Sequence, residues 1–526
     1  MCHTVIFPEI AILIPSHIWD PERKETEMNI ATNLERSAFY FPNRPALGED
    51  MSETSYAQLN DRANRVATAL IKMGIKPGDH VGLCSPNSGD WIAFYFGILK
   101  AGGVAVTFSS LLKRDELKLL VNHSRPKFLF TFDEKLDDLA AGRGTGCLEK
   151  VISPSGDLDF RQLLKMGSAS FSAIDRDRSD TAAVLYTGGT TGIPKGVMLT
   201  HENVNTAIQN VVFHEQSNER DRALLFLPLN HIFGQMHIMN ATILSAGCLE
   251  MIPAFDIGRV LELTESGRVT KLFAVPTMYV RFLAVDELKE KLGNVRYCFS
   301  AAASMAAEVV RQWKERTNLS IYESYGMTES ASMVTYNHCH RHVIGSVGTA
   351  VPGVEVQIRD ESGKQMDVGE RGEICIRARN IMKGYLNNPE ANEAAFWDGE
   401  WFRSGDVGVF DDNGYLFIVD RIKDMIITGG ENVYSREVEE ILYTRPEVQE
   451  CAVIGLPDKE WGERVTAFII PKPGETLDKD RLNAHMKAHL SPFKVPKEYL
   501  TVSDLPRSPA GKILKRTLKE EFLKQH

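Results

Sequence analysis

Residues 81–107 read Val81-Gly82-Leu83-Cys84, a polar turn through Ser85-Pro86-Asn87-Ser88, an apolar run from Trp91 to Lys100, Gly102-Gly103, and then Val104-Ala105-Val106-Thr107. A short buried strand, a helix stopped by a glycine pair and a second short strand form one βα unit, and strands joined through a helix lie parallel. Outward from this unit, Leu59, Ala63, Val66, Ala67 and Leu70 recur at helical spacing until Gly74 stops the run. Residues 114–122 read as a helix and 128–132 as a strand, and the same rhythm returns with strands at 224–227, 271–275 and 296–299. Strands alternating with helices predict a mostly parallel sheet.

The texture changes from Gly345. Short strands at 354–359, 373–378 and 414–419, separated by Gly, Asp and Pro turns, predict antiparallel β structure. Beyond Asp420-Arg421-Ile422-Lys423-Asp424 a smaller α+β unit follows, with helices at 437–443 and 479–490 and strands at 450–454 and 465–470. The expected class is therefore α/β. A large N-terminal domain over 29–420 holds the βα sheets and a β-rich subdomain, a small mobile α+β domain covers 421–526, and residues 1–28 form an extension.

Composition narrows the function. At 526 residues the chain is too long for one core. A net charge of −10 gives no basic surface for a phosphate backbone, which argues against nucleic acid as a partner. Eight cysteines without a C-x-x-C pair fit free thiols in a reducing compartment, and no apolar run reaches the ~18 residues of a membrane helix. Met1 to Ile14 lacks the basic start of a leader, so the expected location is cytoplasmic and the expected assembly a monomer or homodimer.

The segment most specific for chemistry is Leu185-Tyr186-Thr187-Gly188-Gly189-Thr190-Thr191-Gly192-Ile193-Pro194-Lys195-Gly196-Val197. Gly188, Gly189 and Gly192 let the backbone turn its N–H groups inward, the geometry that cradles phosphate oxygens. Thr187, Thr190 and Thr191 add hydroxyl donors and Lys195 a cation, while the spacing fails the G-x-x-x-x-G-K-[ST] loop of kinases and GTPases. By itself the stretch is equally a flexible Gly/Thr surface loop.

Residues 186–197 resemble the signature of the adenylate-forming superfamily, Tyr-Thr-Ser-Gly-Thr-Thr-Gly-x-Pro-Lys-Gly-Val, with Gly188 in the place of Ser. The chain is similar to AMP-forming acyl-CoA ligases, nearest to those of fatty and aromatic acids, over about residues 30–520, with five motifs in the family's order. The resemblance implies activation of a small carboxylic acid by ATP and Mg²⁺ as an acyl-adenylate, then transfer to coenzyme A, the C-terminal domain rotating between the two half-reactions. The alternative is a stand-alone adenylation enzyme that loads a carrier protein.

The resemblance also assigns residues. In Tyr322-Glu323-Ser324-Tyr325-Gly326-Met327-Thr328-Glu329, the residues Glu323, Ser324 and Tyr325 are expected at the nucleotide, Thr328 at the α-phosphate or the carboxylate, and Glu329 on Mg²⁺. Ser300-Ala301-Ala302-Ala303-Ser304-Met305 stands where the family has Ser-Gly-Gly-Ala-Pro-Leu, framing adenine with Ala302, although three alanines equally begin a helix. Asp406, in Arg403-Ser404-Gly405-Asp406-Val407-Gly408, is expected on the ribose hydroxyls, Arg421 as its support, and Lys423 at the hinge. Lys512, in Pro509-Ala510-Gly511-Lys512-Ile513-Leu514, is the expected second catalytic cation beside Lys195.

Gly429, Gly430 and Asn432, in Thr428-Gly429-Gly430-Glu431-Asn432-Val433-Tyr434-Ser435, are expected at the coenzyme A arm, with Ser435 where the family has proline and Ala254 where some aromatic-acid ligases place a lysine. In Pro228-Leu229-Asn230-His231-Ile232-Phe233-Gly234-Gln235, His231 is expected to orient the carboxylate and Phe233 to line the acyl tunnel. Gly234, Met236 and Met239 suggest a roomy apolar lining. His338-Cys339-His340-Arg341-His342 has the composition but not the spacing of a zinc site and is read as a polar loop.

Overall fold

The computed structural model describes residues 27–50, 52–140, 147–187, 194–508 and 511–525. The loop residues Gly188, Gly189, Thr190, Thr191 and Gly192, and the extension up to residue 26, lie outside the described residues.

Two seven-stranded sheets form the body. In the first, Phe128–Thr131, His80–Cys84, Val104–Thr107 and Thr181–Thr187 run parallel, and Lys195–Thr200 returns antiparallel against Thr181–Thr187. In the second, Arg222–Leu225, Lys271–Ala274, Tyr297–Ser300 and Ile321–Glu323 are successive parallel neighbours. The predicted βα rhythm is thus the observed one. The strand expected at 224–227 is Arg222–Leu225, and Phe226 and Leu227 lie beyond its ladder while staying buried.

The helix Gly89–Lys100 is buried along its whole length, which is why its sequence is apolar all round. Ser88 Oγ caps it by accepting from Trp91 N–H, and at its far end the buried Lys100 ammonium meets Glu35 at 2.5 Å. That pairing offsets the desolvation of a charge inside the core. The helix Tyr56–Lys72 packs beside it, opened by a capping box on Ser55.

A five-stranded antiparallel sheet contains Val354–Arg359, Gly372–Ala378, Trp401–Phe410 and Leu416–Arg421. Its last strand starts at Leu416 rather than 414, since Asp411 Oδ1 accepts from Asn413 and Tyr415 N–H and holds Asp411–Gly414 as a turn. After Ile422–Asp424, a second five-stranded sheet, in which Gly462–Pro471 pairs with Val448–Asp458, carries its own core around Val438, Leu442, Val453, Ala467 and Met486.

Space fixes Gly326. A Cβ on Gly326 would stand 1.6 Å from the backbone oxygen of Ser332, so no side chain fits where the chain folds back on itself after the strand Ile321–Glu323. Gly326→Ala is expected to force the two backbones apart and to cost about 2–4 kcal/mol, read as a lowered unfolding midpoint in denaturant with an unchanged slope.

Candidate active site

The carboxyl ends of the parallel strands in the second sheet place the site. Arg222–Leu225, Lys271–Ala274, Tyr297–Ser300 and Ile321–Glu323 end side by side, and the register sets Ala274 against Ser300 and Ser300 against Glu323. The segments that leave these ends carry His231, Pro276-Thr277, Ala302, and the run Ser324 to Glu329. Ligands of open α/β sheets lie in the crevice at this edge.

A cavity of about 220 Å³ lies there, lined on the body side by Ser300, Ala302, Glu323, Tyr325 and Asp406. The C-terminal unit closes it with Gly511, Lys512 and Ile513. Ser300–Met305 is a turn and not the start of a helix, which begins at Ala307. Ala302 takes the left-handed conformation there with φ +72°, a strain tolerated where the backbone must pass close to a ligand.

At the centre of the cavity wall, Tyr325 Oη donates to Asp406 Oδ2 at 2.7 Å and Arg421 Nε meets Asp406 Oδ1 at 3.1 Å. Asp406 and Arg421 face one another across adjacent antiparallel strands, so the register itself forms the pair. Lys512 is lowered to about 8, first by burial and then by the positive charges of Arg421 and Lys423, against the opposing pull of Asp406 and Asp424. Lys423, in the turn Ile422–Asp424, is itself lowered by burial and by Arg421.

His231 is lowered to about 4, first by burial and then by the charge of Lys512, although His231 itself does not line the cavity. Phe233 N–H donates to His231 Nδ1 at 3.3 Å, which leaves the imidazole proton on Nε2.

Thr328 and Glu329 open a single 3₁₀ turn. Burial raises the Glu329 carboxyl, while hydrogen bonding from Tyr385 and the charges of Arg421 and Lys195 pull it back down. Tyr385 Oη donates to Glu329 Oε1 at 3.0 Å, and Lys195 Nζ lies 4.6 Å from the centre of the Tyr385 ring. Lys195 is fixed opposite Thr187 in the hairpin that flanks the undescribed phosphate loop. Tyr385 belongs to none of the sequence motifs. Its strand, Gly384–Tyr385, reaches Lys195–Thr200 by pairing with Val197 and Met198, a long-range contact with no local signature.

The residues fit a nucleotide. Two buried side-chain atoms in the cavity lining, Ser300 Oγ and Glu323 Oε2, have no hydrogen-bond partner among the described residues, leaving polar groups that a purine edge could satisfy. Asp406 offers a carboxylate in the cavity lining, and Glu329 offers a hard oxygen suited to Mg²⁺.

Not every expected residue arrives at the cavity. Gly429 and Gly430, with φ +60° and +83°, form the two-residue turn of the hairpin Ile426–Thr428/Glu431–Val433, and Asn432 lies exposed on it. None of the three lines the cavity. Phe233 packs edge-on against Phe273, Phe299 and His237, and a Cβ on Gly234 would come within 2.5 Å of the Pro228 oxygen. Met236 and Met239 are fully buried in the core. Close packing, and not a wide acyl channel, accounts for this glycine and these methionines. His338 stacks edge-on against His214 and Tyr336 and lies 3.2 Å from Thr349 Oγ1, while His342 meets Tyr322.

Residues 34–386 match the family model described as AMP-binding enzyme, and residues 437–512 match the AMP-binding enzyme C-terminal domain. The chain belongs to the AMP-binding enzyme family. It is 36% identical to feruloyl-CoA synthase of Amycolatopsis sp over 490 residues, covering 93% of this chain and 98% of that one. ATP-bound MatB from Rhodopseudomonas palustris superposes with a TM-score of 0.88 at 34% identity, covering 94% of this chain and 99% of that one. The anthranilate CoA ligase AuaEII in complex with anthranoyl-AMP gives 0.90 at 29% identity, covering 95% and 98%. The chain is thus an ATP-dependent, AMP-forming carboxylate–CoA ligase that uses ATP, Mg²⁺ and coenzyme A.

Within this family member, Glu323 stands out. Burial raises its carboxyl to about 8, with Arg436 pulling down and Glu440 pushing up. An acid raised on folding destabilises progressively as pH climbs from its unfolded value through its folded one, because only the unfolded chain releases the proton. Glu323→Gln, which keeps the shape of the neutral acid, is therefore expected to gain thermal stability over the parent between pH 5 and pH 8, with no gain at pH 4. Melting curves across that range check the sign.

Proposed function

We propose that Lys512, His231, Thr328 and Lys195 carry out adenylation in this cavity, with Asp406 and Arg421 holding the ribose. The observation that supports this most is that Lys512, on a loop of the C-terminal unit, lines the same cavity as Asp406 and Arg421 and acts electrostatically on His231. A carboxylate attacking the α-phosphorus of ATP brings two anions together, so the protein's task is to neutralise charge and align the reactants.

Lys512 and Lys195 supply ammonium groups, and Nε2–H of His231 donates to a carboxylate oxygen of the acid. Thr328 offers a hydroxyl and N–H at the turn that begins beside Tyr325. Asp406 accepts the ribose hydroxyls without leaving Arg421. Glu329 would hold Mg²⁺, which when bound would supply charge neutralisation at the phosphate oxygens. Tyr385 keeps that carboxylate aimed through its 3.0 Å hydrogen bond.

For the second half-reaction, the C-terminal unit rotates about Lys423, withdraws Lys512 and brings the Gly429-Gly430-Glu431-Asn432 hairpin to the channel of the coenzyme A arm. Two features agree with this: those residues lie away from the cavity in the present arrangement, and the unit has a core of its own. A location in the cytoplasm suits a chain in which no described helix is long and apolar enough to cross a membrane.

Pyrophosphate release over a panel of aromatic, fatty and short dicarboxylic acids, with and without coenzyme A, identifies the acid and the acceptor. Lys512→Ala is expected to slow acid-dependent pyrophosphate release by at least ~100-fold while thioester formation from supplied acyl-adenylate changes less than ~3-fold. Equal loss in both steps would remove Lys512 from the proposed role. Because Lys512 acts as an ammonium and sits near pH 8, kcat/KM for adenylation should be flat below that pH and decline above it.

A further inference from the structure

Two positions where the sequence departs from the family pattern meet at one interface. The family has proline in the turn after Ser300 and proline at the start of the helix Ser435–Tyr443; this chain has Ser304 and Ser435. Ser435 N–H and Oγ–H both donate to Asp420 Oδ2, at 2.5 and 2.8 Å. The same hydroxyl accepts from Lys515 Nζ at 2.6 Å, and Lys515 pairs with Glu439 at 2.7 Å. Asp420 lies in the last strand of the body, and Lys515 opens the final helix, three residues after Lys512. The next residue, Arg436, donates to Ser304 Oγ at 2.9 Å and to the Ile418 oxygen at 2.8 Å, both on the body.

A proline at position 435 would suit the first turn of a helix but has neither the N–H nor the hydroxyl that reach Asp420. A proline at 304 would leave that Arg436 N–H without this acceptor. The two serines therefore add donors and acceptors to a contact that the family pattern leaves without them. Ser435 is fully buried, so its bonds are shielded from water. Burial works against the Lys515 ammonium, but the carboxylates of Glu439 and Asp420 outweigh it and hold the group charged.

We propose that Ser435 and Ser304 are positioning residues that latch the C-terminal unit to the body and so hold Lys512 in the cavity for adenylation. This rests on the adenylation role given to Lys512 above. The latch biases the enzyme toward the first half-reaction and must open before coenzyme A is used.

The test uses the full-length enzyme with Ser435→Ala, Ser304→Pro and the double variant. Lys512 accessibility is read first, without substrate, as its rate of acetylation by N-hydroxysuccinimidyl acetate relative to the exposed-side Lys524, quantified by peptide mass. The expected result is acetylation of Lys512 roughly 5- to 10-fold faster in the double variant, the range given by losing one to two hydrogen bonds. Single-turnover pyrophosphate release, with the best acid of the panel, should slow by a similar factor, and thioester formation from supplied acyl-adenylate should not slow. Unchanged acetylation of Lys512, or equal slowing of both half-reactions, would overturn the latch.

Ser304→Pro alone keeps the test decisive should Ser435→Ala disturb folding, because Ser304 lies at an exposed contact. Failure of the adenylation reading is separable: Lys512→Ala would then retain pyrophosphate release, whatever the acetylation rates show.

Discussion

The carboxylate of Asp406 is the constraint on which the site depends. It takes a hydrogen bond from Tyr325, which leaves the edge of the parallel sheet, and an ion pair from Arg421, on the neighbouring strand of the antiparallel sheet. A carboxylate at 6% exposure is tolerable only with such partners. In being satisfied, it ties two sheets of different construction to the root of the C-terminal unit. Arg421 then acts outward on Glu329, Lys423 and Lys512, and Lys512 acts on His231. The site is one electrostatic assembly with Asp406 near its middle.

That assembly holds more positive charge than it can comfortably keep. Lys512 and Lys423 are both lowered, and part of each shift comes from Arg421 rather than from burial. A protein with net charge −10 has thus gathered its cations at one cavity, where each makes the other's ammonium harder to hold. In the proposed reaction, anionic phosphates and a carboxylate would relieve that repulsion as they bind. The field is built before the substrates arrive, which is what lets it stabilise the charge that gathers on the phosphate during transfer. His231 fits the same logic: burial first, and then the charge of Lys512, disfavour a charged imidazolium there.

Much of this was legible in the sequence because it is local. The strands at 104–107 and 354–359 were bounded correctly by alternation and turns alone, and the α/β class followed. The motifs around Tyr325, Asp406 and Lys512 converge on the cavity because each leaves the end of a strand or closes over one. What escaped was set by distant partners. Tyr385 matters only because its two-residue strand docks on Lys195–Thr200, and Arg436 only because its helix abuts the Ser304 turn. Gly234 was misread for a related reason. Glycine beside methionines suggests space, but the backbone oxygens of Leu227 and Pro228 fill the space a Cβ would need, and periodicity carries no information about those. Gly429 and Gly430 show the reverse case, a glycine pair whose positive φ values are first of all the requirement of a tight hairpin.

The Lys512 loop shows why a glycine and a lysine stand together there. Gly511 has φ +83°, and a Cβ on it would lie 2.9 Å from Val275 Cγ2, at the exit of the strand Lys271–Ala274. Ser508 stiffens the turn by accepting from Gly511 N–H and donating to the Lys512 oxygen. Any side chain at 511 would therefore be strained by its own backbone and would also push the loop off the body, moving Lys512 out of the cavity. The contacts that hold the loop's unit against the body are polar ones: Arg371 with Glu437 at 2.6 Å, Arg436 with Ser304, and Ala307 N–H with Glu440 at 3.2 Å. Polar contacts of this kind can be exchanged one at a time, and most of the apolar residues of the C-terminal unit lie in its own core. A close glycine contact with a polar surround seats the lysine accurately, and it suits the proposed role, in which Lys512 serves one half-reaction and leaves for the other.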